Sequence, residues 1–197
     1  MADVAVPALF TRPGGLAGRT LRLQGRVGPE HAGRSVEIQR LDAERRWIAA
    51  ATTQVGADGG YQARWRAAVA GRHSLRAVVN GATAQVAAAA ATTQVTVYRP
   101  VRATWFGPGF FGRRTACGQR LSRGLVGVAH RTLPCGTPVE IYHRGRTVTA
   151  PVVDRGPYSN GAHYDLTSAA ARQVGMRTTG TIGVVVQRGR HAPALAP

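Results

Sequence analysis

The sequence predicts an all-β protein with two modules, a β-sandwich over residues 18–98 and a small β-barrel with one short helix over residues 101–187. Three observations predict this architecture. Short alternating segments separated by turn residues fill the first half. Strand-like stretches with many glycines fill the second half, where aromatic residues are more frequent and acidic residues are scarce. Residues 1–17 are predicted to be an N-terminal extension, and residues 188–197, rich in Pro and Ala, a disordered tail.

The first module has the strand pattern of an immunoglobulin-like or fibronectin-like sandwich. In residues 20–27, apolar side chains alternate with Arg22, Gln24 and Arg26, so one face is predicted to be core and the other to meet water. About six strands in about 80 residues, joined by turns rich in Gly, Pro, Asp and Asn, suit such a sandwich. The module contains no recognisable catalytic group, so we expect it to space, orient or bind. The predicted strands span residues 20–27, 35–41, 47–55, 61–66, 73–79 and 92–98.

The second module combines short strands with one helix. Thr167 is a good N-cap, the residues after it favour a helix, and Gly175 lies where a terminating glycine belongs. Pro100 is predicted to break strand pairing and to mark the boundary between the modules. The predicted strands span residues 103–106, 126–129, 137–142, 147–153 and 181–186.

The composition describes a folded and very basic protein. All 26 cationic residues are Arg, and with nine acidic residues they give a formal net charge of +17. The 44% of hydrophobic residues argue against disorder throughout, and no apolar run approaches the ~20 residues of a membrane-spanning helix. The first ten residues do not resemble a signal peptide. The arginines divide evenly, 13 before residue 100 and 13 after, with no nucleic-acid-binding signature, so we expect no nucleic-acid ligand.

Cys117 and Cys135 enclose a segment rich in glycine and turn residues, without the C-x-x-C spacing of a zinc or redox site. A disulfide between them would close a loop of about 19 residues and stabilise the fold by roughly 3 kcal/mol. The alternative is two unrelated buried thiols. A disulfide would indicate an oxidising compartment, so we expect an exported protein, either secreted or associated with the cell wall.

Five motifs in the second half occur in the order of a known family. They are Ala-Thr-Trp-Phe-Gly-Pro-Gly at residues 103–109, Arg-Thr-Ala-Cys-Gly-Gln at 114–119, Ala-His-Arg-Thr-Leu-Pro-Cys-Gly-Thr at 129–137, Val-Asp-Arg-Gly-Pro-Tyr at 153–158 and Tyr-Asp-Leu-Thr at 164–167. This order resembles the rare lipoprotein A family, septal-ring peptidoglycan lytic transglycosylases, and implies a six-stranded double-psi β-barrel. Residues 163–166 are also similar to a segment of expansins. A barrel with two cysteines, preceded in the chain by a sandwich module, resembles secreted actinobacterial members of this family.

The resemblance implies cleavage of the β-1,4 bond between MurNAc and GlcNAc in peptidoglycan, with a 1,6-anhydro product and without a cofactor. Most glycosidases use two carboxyl groups. In the implied reaction the C6 hydroxyl of the muramic acid attacks, so one carboxyl can serve first as acid and later as base. From residue 100 onward only Glu140, Asp154 and Asp165 are acidic, which limits the candidates to three.

Asp154 is the predicted general acid and base. A count by twos along its strand places it at the end of an apolar row that includes Val148 and Val152, and such surroundings favour the protonated form that a general acid requires. Arg155 is predicted to point to the other face. The alternative is that Asp154 caps the following turn by accepting hydrogen bonds from nearby backbone amides.

Asp165 and His130 are the other predicted catalytic residues. Asp165 aligns with the acid of expansins and related endoglucanases; alternatively, its charge favours the start of the helix after Thr167. His130 ends a strand and matches the site histidine of the family, although a lone histidine is often only structural. Glu140 is predicted to be solvated on the opposite face. His163 is a weaker candidate, and these groups lack the spacing of a metal site.

The predicted substrate-binding residues are Gln119, Trp105, Thr115, Tyr158 and Tyr164. Aromatic faces suit the C–H faces of pyranose rings, whereas the alternative for this aromatic cluster is ordinary barrel core, which we favour for Phe106. Gln119 stands where many rare lipoprotein A sequences have Glu. It can hydrogen-bond a sugar, but it cannot carry a proton to the substrate.

Two functions of different classes therefore follow from the sequence. The first is a peptidoglycan-cleaving enzyme, favoured by Asp154 together with Asp165. The second is an expansin-like protein that binds and loosens wall polysaccharide without cutting it, favoured by Gln119. Anionic wall polymers are expected as further partners because of the positive charge, and we expect a monomer.

Overall fold

The computed structural model describes residues 8–11, 14–81 and 90–187. The chain divides into two compact units, one up to Val97 and one from Tyr98 onward. Strand β8 (Thr93–Phe106) runs through this division, pairing within the first unit up to Val97 and within the second from Arg99. Pro100 does not break the strand: it is paired with Gly183. The prediction of a break there is wrong because an antiparallel strand needs N–H donors toward one partner only at alternate residues.

The first unit consists of two antiparallel sheets that share one hydrophobic core. One sheet has the order β1-β3-β6, and the other places β5, β4, β7 and residues 93–97 of β8 side by side. In β6, Tyr61, Ala63 and Trp65 are buried and the residues between them are exposed, which is the predicted two-faced alternation. The strands are β1 (Ala8–Thr11), β2 (Gly15–Leu16), β3 (Thr20–Arg26), β4 (Ser35–Leu41), β5 (Trp47–Gln54), β6 (Gly60–Arg66) and β7 (Gly71–Val79), with a 3-10 turn at Pro29–His31.

The N-terminal extension and the type of sandwich predicted for the first unit have different outcomes. Residues 8–11, expected to lie in an N-terminal extension, instead form β1 and pair with β3. The immunoglobulin-like type of the sandwich stays a prediction. The predicted disordered tail, residues 188–197, lies outside the described residues.

The second unit is a closed ring of six strands, which confirms the predicted barrel. The order is β8-β12-β9-β11-β10-β13, and β13 pairs again with β8. The pairs β8–β12 and β9–β11 are parallel, and the other pairs are antiparallel. Besides β8, its strands are β9 (Val128–Ala129), β10 (Pro138–His143), β11 (Arg146–Asp154), β12 (Tyr164–Thr167) and β13 (Gly180–Val186).

The predicted helix forms as α1 (Ser168–Val174) directly after β12. The Thr167 hydroxyl accepts a hydrogen bond from the backbone amide of Ala170, and Gly175 ends the helix with a positive φ of 70°. Ala170 and Val174 pack into the barrel core, whose other members come from the ring of strands. In the described part of the chain, no helix has the length and apolar character to cross a membrane.

Candidate functional site

The strand register brings two carboxylates into one row across four strands. Asp154 of β11 is paired with Ala129 of β9, and Ala129 is paired in turn with Asp165 of β12. Asp165 is also paired with Thr104 of β8. Directly paired residues point to the same face of a sheet, so the two carboxylates flank the small side chain of Ala129. Because neighbouring strands lie about 4.8 Å apart, the Cα atoms of the two aspartates are about 10 Å apart.

A β-bulge sets the direction of Asp154. Val152 is paired with Val128, and Asp154 is paired with Ala129. Strand β11 therefore contains one extra residue, Val153, between these two pairs. The predicted count by twos from Asp154 back to Val152 therefore fails. Asp154 shares the face of Ala129 instead of continuing the buried row of Val152, and it is half-buried.

Backbone amides hold one oxygen of Asp154. Its Oδ1 accepts hydrogen bonds from the amides of Ala116 and Arg155, both at 2.8 Å. The capping alternative raised by the sequence therefore describes one part of its role. Oδ2 has no hydrogen-bond donor among the described residues, so an oriented carboxylate presents one free oxygen.

Asp165 has different surroundings. Burial raises the pKa of this carboxyl, and the negative charge of Asp154 raises it further, while the hydrogen bond from Thr104 opposes both effects. The Thr104 hydroxyl donates to Oδ1 at 2.7 Å. Thr104 belongs to the first quoted motif, but the sequence did not assign it a role, because its partner lies 61 residues away.

His130 is held as a neutral imidazole with an orientation fixed by backbone. Its Nδ1 accepts hydrogen bonds from the amides of Thr132 and Leu133, at 3.2 and 3.0 Å, which leaves the ring proton on Nε2. Burial lowers the pKa of His130, and the positive charges around it lower it further. The guanidinium groups responsible are those of Arg99, Arg155 and Arg131, in decreasing order of effect.

Tyr164 lies beneath His130 and has no exposed surface. The two rings are tilted by 48°, with centroids 4.7 Å apart. Burial raises the pKa of the Tyr164 phenol, an effect that the nearby guanidinium of Arg99 opposes. Arg99 lacks the geometry of a hydrogen bond to this oxygen, which has no such partner among the described residues. The predicted contact of Tyr164 with a sugar is wrong for this structure, since the side chain supports His130 from the core.

The loop that carries Ala116 is a tight turn closed by Thr115 and Gln119. The backbone amide of Thr115 donates to the Gln119 carbonyl at 2.8 Å, and the Thr115 hydroxyl donates to Oε1 of Gln119 at 3.1 Å. The Gln119 side-chain amide has no acceptor among the described residues, so its N–H groups are available. Thr115 is buried, which limits it to a supporting position in this structure.

The predicted disulfide between Cys117 and Cys135 is confirmed, with Cα atoms 5.7 Å apart. It ties the Ala116 loop to the segment after His130. Arg155 fixes the same segment, because its guanidinium donates to the carbonyls of His130 and Leu133, at 3.3 and 3.0 Å. Arg155 thus points away from the Asp154 carboxylate, as predicted, and forms no ion pair with it.

The aromatic residues do not gather around the carboxylates. Trp105 is 39% exposed and lines a pocket whose lining contains no acidic residue. Tyr158 is 76% exposed on the loop after Asp154, where a ligand can reach it. Phe106 is half-buried, and Phe110 is exposed.

Glu140 lies apart from the row and accepts a hydrogen bond from the Tyr98 hydroxyl at 2.6 Å. Its side chain, predicted to be solvated, is half-buried. His163 is exposed, and its backbone amide donates to the carbonyl of Arg102. Within the described ranges, no three His, Cys, Asp or Glu side chains group to hold a metal ion.

Comparison with known proteins shows what the second unit is similar to. A family model described as lytic transglycolase matches residues 98–186. A probable endolytic peptidoglycan transglycosylase RlpA from Synechocystis sp. is 43% identical over 86 residues, 43% of this chain and 27% of that protein. A protein of the same description from Aquifex aeolicus is 48% identical over 82 residues, 41% of this chain and 36% of that protein. The chain thus spans about a third of the length of these relatives. Among solved structures, the Streptomyces papain inhibitor aligns with a TM-score of 0.33 and 26% identity, over 43% of this chain and 91% of that one.

Proposed function

Residues 98–186 form a domain of the RlpA-like double-psi β-barrel family, and from this premise we propose that the protein is a peptidoglycan lytic transglycosylase. It cleaves the β-1,4 bond between MurNAc and GlcNAc and leaves a 1,6-anhydro end. The observation that carries the proposal is the row in which Asp154 and Asp165 flank Ala129.

The different surroundings of the two aspartates support a division of labour. Asp165, with its raised pKa, retains a proton to higher pH than an ordinary carboxyl and is suited to be the general acid. Asp154 is oriented by two amides and offers a free Oδ2, which suits a general base. The sequence assigned both steps to Asp154; we now assign the donor step to Asp165, because two carboxyl groups in unlike environments take unlike roles.

In the proposed reaction a glycan strand lies along the row from Thr104 to Asp154. The proton of Asp165 passes to the glycosidic oxygen O4 as the bond from C1 to O4 breaks. The C6 hydroxyl of the same MurNAc attacks C1, the bond from O6 to C1 forms, and the hydroxyl proton passes to Asp154. Asp154 then releases a proton to solvent and Asp165 takes one up. No water is consumed, and the atoms balance.

His130 and Gln119 are proposed to position the substrate. His130 presents an Nε2–H donor toward sugar hydroxyls, and its low affinity for a second proton keeps a further positive charge out of the site. The free amide of Gln119 can donate to an acetamido or hydroxyl oxygen. Tyr158 offers an exposed aromatic face for a sugar ring.

The remaining proposals concern the whole protein. The disulfide supports an oxidising location, so we propose that the protein is secreted or bound to the wall. The first unit, two sheets around one core, is proposed to be an immunoglobulin-like module that binds or orients wall polymers. A single copy contains both aspartates of the row, which supports function as a monomer.

Digestion of purified peptidoglycan in water enriched in oxygen-18 tests the reaction class. We expect anhydro-muropeptides without the heavy isotope, detected by mass spectrometry. Hydrolysis would place the isotope at new reducing ends and would contradict the proposed attack by the C6 hydroxyl. An Asp154→Asn/Asp165→Asn double variant, purified in parallel, controls for contaminating enzymes.

The second candidate function is wall binding and loosening without cleavage. The observation that favours it is Gln119, which cannot transfer a proton and whose Oε1 is already held by Thr115. Folded protein that binds the wall but releases no fragment in the same digestion would establish this function in place of the first.

A further inference from the structure

A pocket of about 650 Å³ opens on the barrel along α1, and none of the residues that contact the two carboxylates lines it. This volume lies within the range of sites that bind small molecules. Its apolar wall includes Trp105, Phe111 and Met176, and Trp105 is partly exposed. The indole is fixed, because its Nε1 donates to the Arg177 carbonyl at 3.1 Å.

Three arginines give the pocket a positive rim. Arg123, Arg172 and Arg177 line it, and no acidic residue does. The Arg172 guanidinium donates to the carbonyl of Arg123 at 2.6 Å, and the Arg123 guanidinium lies 5.7 Å from the centre of the Phe111 ring. Arg123 and Arg172 therefore have defined side-chain contacts, and the N–H groups of the three guanidinium groups match the oxygens of a carboxylate or phosphate.

Ser168 also lines the pocket, but its Oγ is itself buried and has no hydrogen-bond partner among the described residues, so this hydroxyl is not part of the open wall. The pocket thus combines a flat aromatic face with a cationic rim.

We propose that this pocket is a second saccharide site of the barrel, selective for an acidic sugar. A pyranose ring lies on Trp105, and its carboxylate or phosphate contacts Arg172 and Arg177. The site goes beyond the proposed cleavage reaction, because neither aspartate lines it and no step of that reaction uses it. It would hold an acidic wall glycan or a sugar-phosphate polymer against the barrel.

The test measures binding of three oligosaccharides by calorimetry: one with carboxylates (oligoglucuronate), one with phosphates (a sugar-phosphate oligomer) and one neutral (chitotriose). The full chain is compared with an Arg172→Gln/Arg177→Gln variant and a Trp105→Ala variant. The matched control is Arg19→Gln/Arg22→Gln, which removes the same charge from exposed positions of the first unit. All of these proteins also carry Asp154→Asn and Asp165→Asn, so that no oligosaccharide is cleaved during the titration.

We expect an acidic oligosaccharide to bind more tightly than the neutral one and to lose about tenfold or more of its affinity in the Arg172→Gln/Arg177→Gln variant but not in the control. The tighter of the two acidic ligands then identifies carboxylate or phosphate as the natural group. An equal loss of affinity in the Arg172→Gln/Arg177→Gln variant and in the Arg19→Gln/Arg22→Gln control would show that binding depends only on the net charge of the protein. That result would overturn the proposal. Tighter binding of an acidic peptide, oligoglutamate, would overturn it in favour of a peptide site. Should Trp105→Ala fail to fold, the exposed arginine pair decides alone.

Discussion

Asp154 and Asp165 are the same residue type on the same face of the barrel, yet neighbouring groups give them unlike properties. Two backbone amides orient Asp154, whereas Asp165 has burial, a neighbouring negative charge and one hydroxyl donor. The sequence could predict both aspartates, because few acidic residues occur after residue 100. It could not predict the division between them, because Ala116 and Thr104 lie far away along the chain and reach the aspartates only through the fold.

The pH dependence of stability tests the surroundings of Asp165. Its pKa is raised above the ordinary 3.8 in the folded chain, so ionisation opposes folding. The stability associated with the protonated carboxyl is complete below 3.8 and is lost as the pH rises through the raised value. We therefore expect Asp165→Asn to unfold a few degrees higher than the parent at pH 7 and at the same temperature at pH 3. Thermal unfolding followed by circular dichroism measures both, and a lower midpoint at pH 7 would contradict the burial argument.

At the scale of secondary-structure elements, the site is formed by short strands and loops that meet at strand ends. The long strands and the helix could be predicted, because alternation and caps are local signals: Thr167 and Gly175 mark α1 without any knowledge of the barrel. Strand β12 has four residues and leads straight into α1, so no turn marks it. The bulge at Val153 could not be predicted from the sequence either, because a bulge is defined by the pairing of its strand with a neighbour, here β9. That single extra residue moved Asp154 to the face of Ala129.

The disulfide ties the loop that carries Ala116, whose backbone amide donates to Asp154, to the segment after His130. Replacing both Cys117 and Cys135 with Ser should cost roughly 3 kcal/mol of unfolding free energy, because the unfolded chain loses the constraint of a 19-residue loop. The cleavage rate should fall as well, since Asp154 loses a fixed donor. Urea unfolding and digestion assays on the same preparation measure the two effects. Unchanged cleavage by the double variant would show that the loop is held without the bridge.

At the scale of the whole molecule, charge is the dominant property. The net charge of +17 comes from arginines in both halves, so it could be read from composition alone. The arginine pairs Arg26–Asp58 and Arg46–Asp42 lie in the first unit. The hydrogen bonds to the carboxylates of Asp154 and Asp165 come from backbone amides and the Thr104 hydroxyl, not from arginine side chains. Much of the positive charge is therefore available to external anions.

Attraction of this kind weakens in salt. We expect binding to purified cell wall to fall by roughly an order of magnitude as the salt concentration rises from 0.05 to 0.5 M, because ions screen exposed charges. Binding to uncharged chitin provides the control and should change little. Wall binding that is indifferent to salt would contradict an electrostatic attraction and would point to sugar stacking as the main contribution.

The release of anhydro ends from peptidoglycan by single-site variants tests the carboxylate pair most directly. Asp154→Asn and Asp165→Asn should each lower the rate at least about a hundredfold, since general acid and base catalysis contributes about 10² to 10⁴. Glu140→Gln removes the third carboxylate of the barrel, hydrogen-bonded to Tyr98, and should leave the rate unchanged. If both aspartate variants fold and cleave at the rate of the parent, the pair is not the catalytic centre.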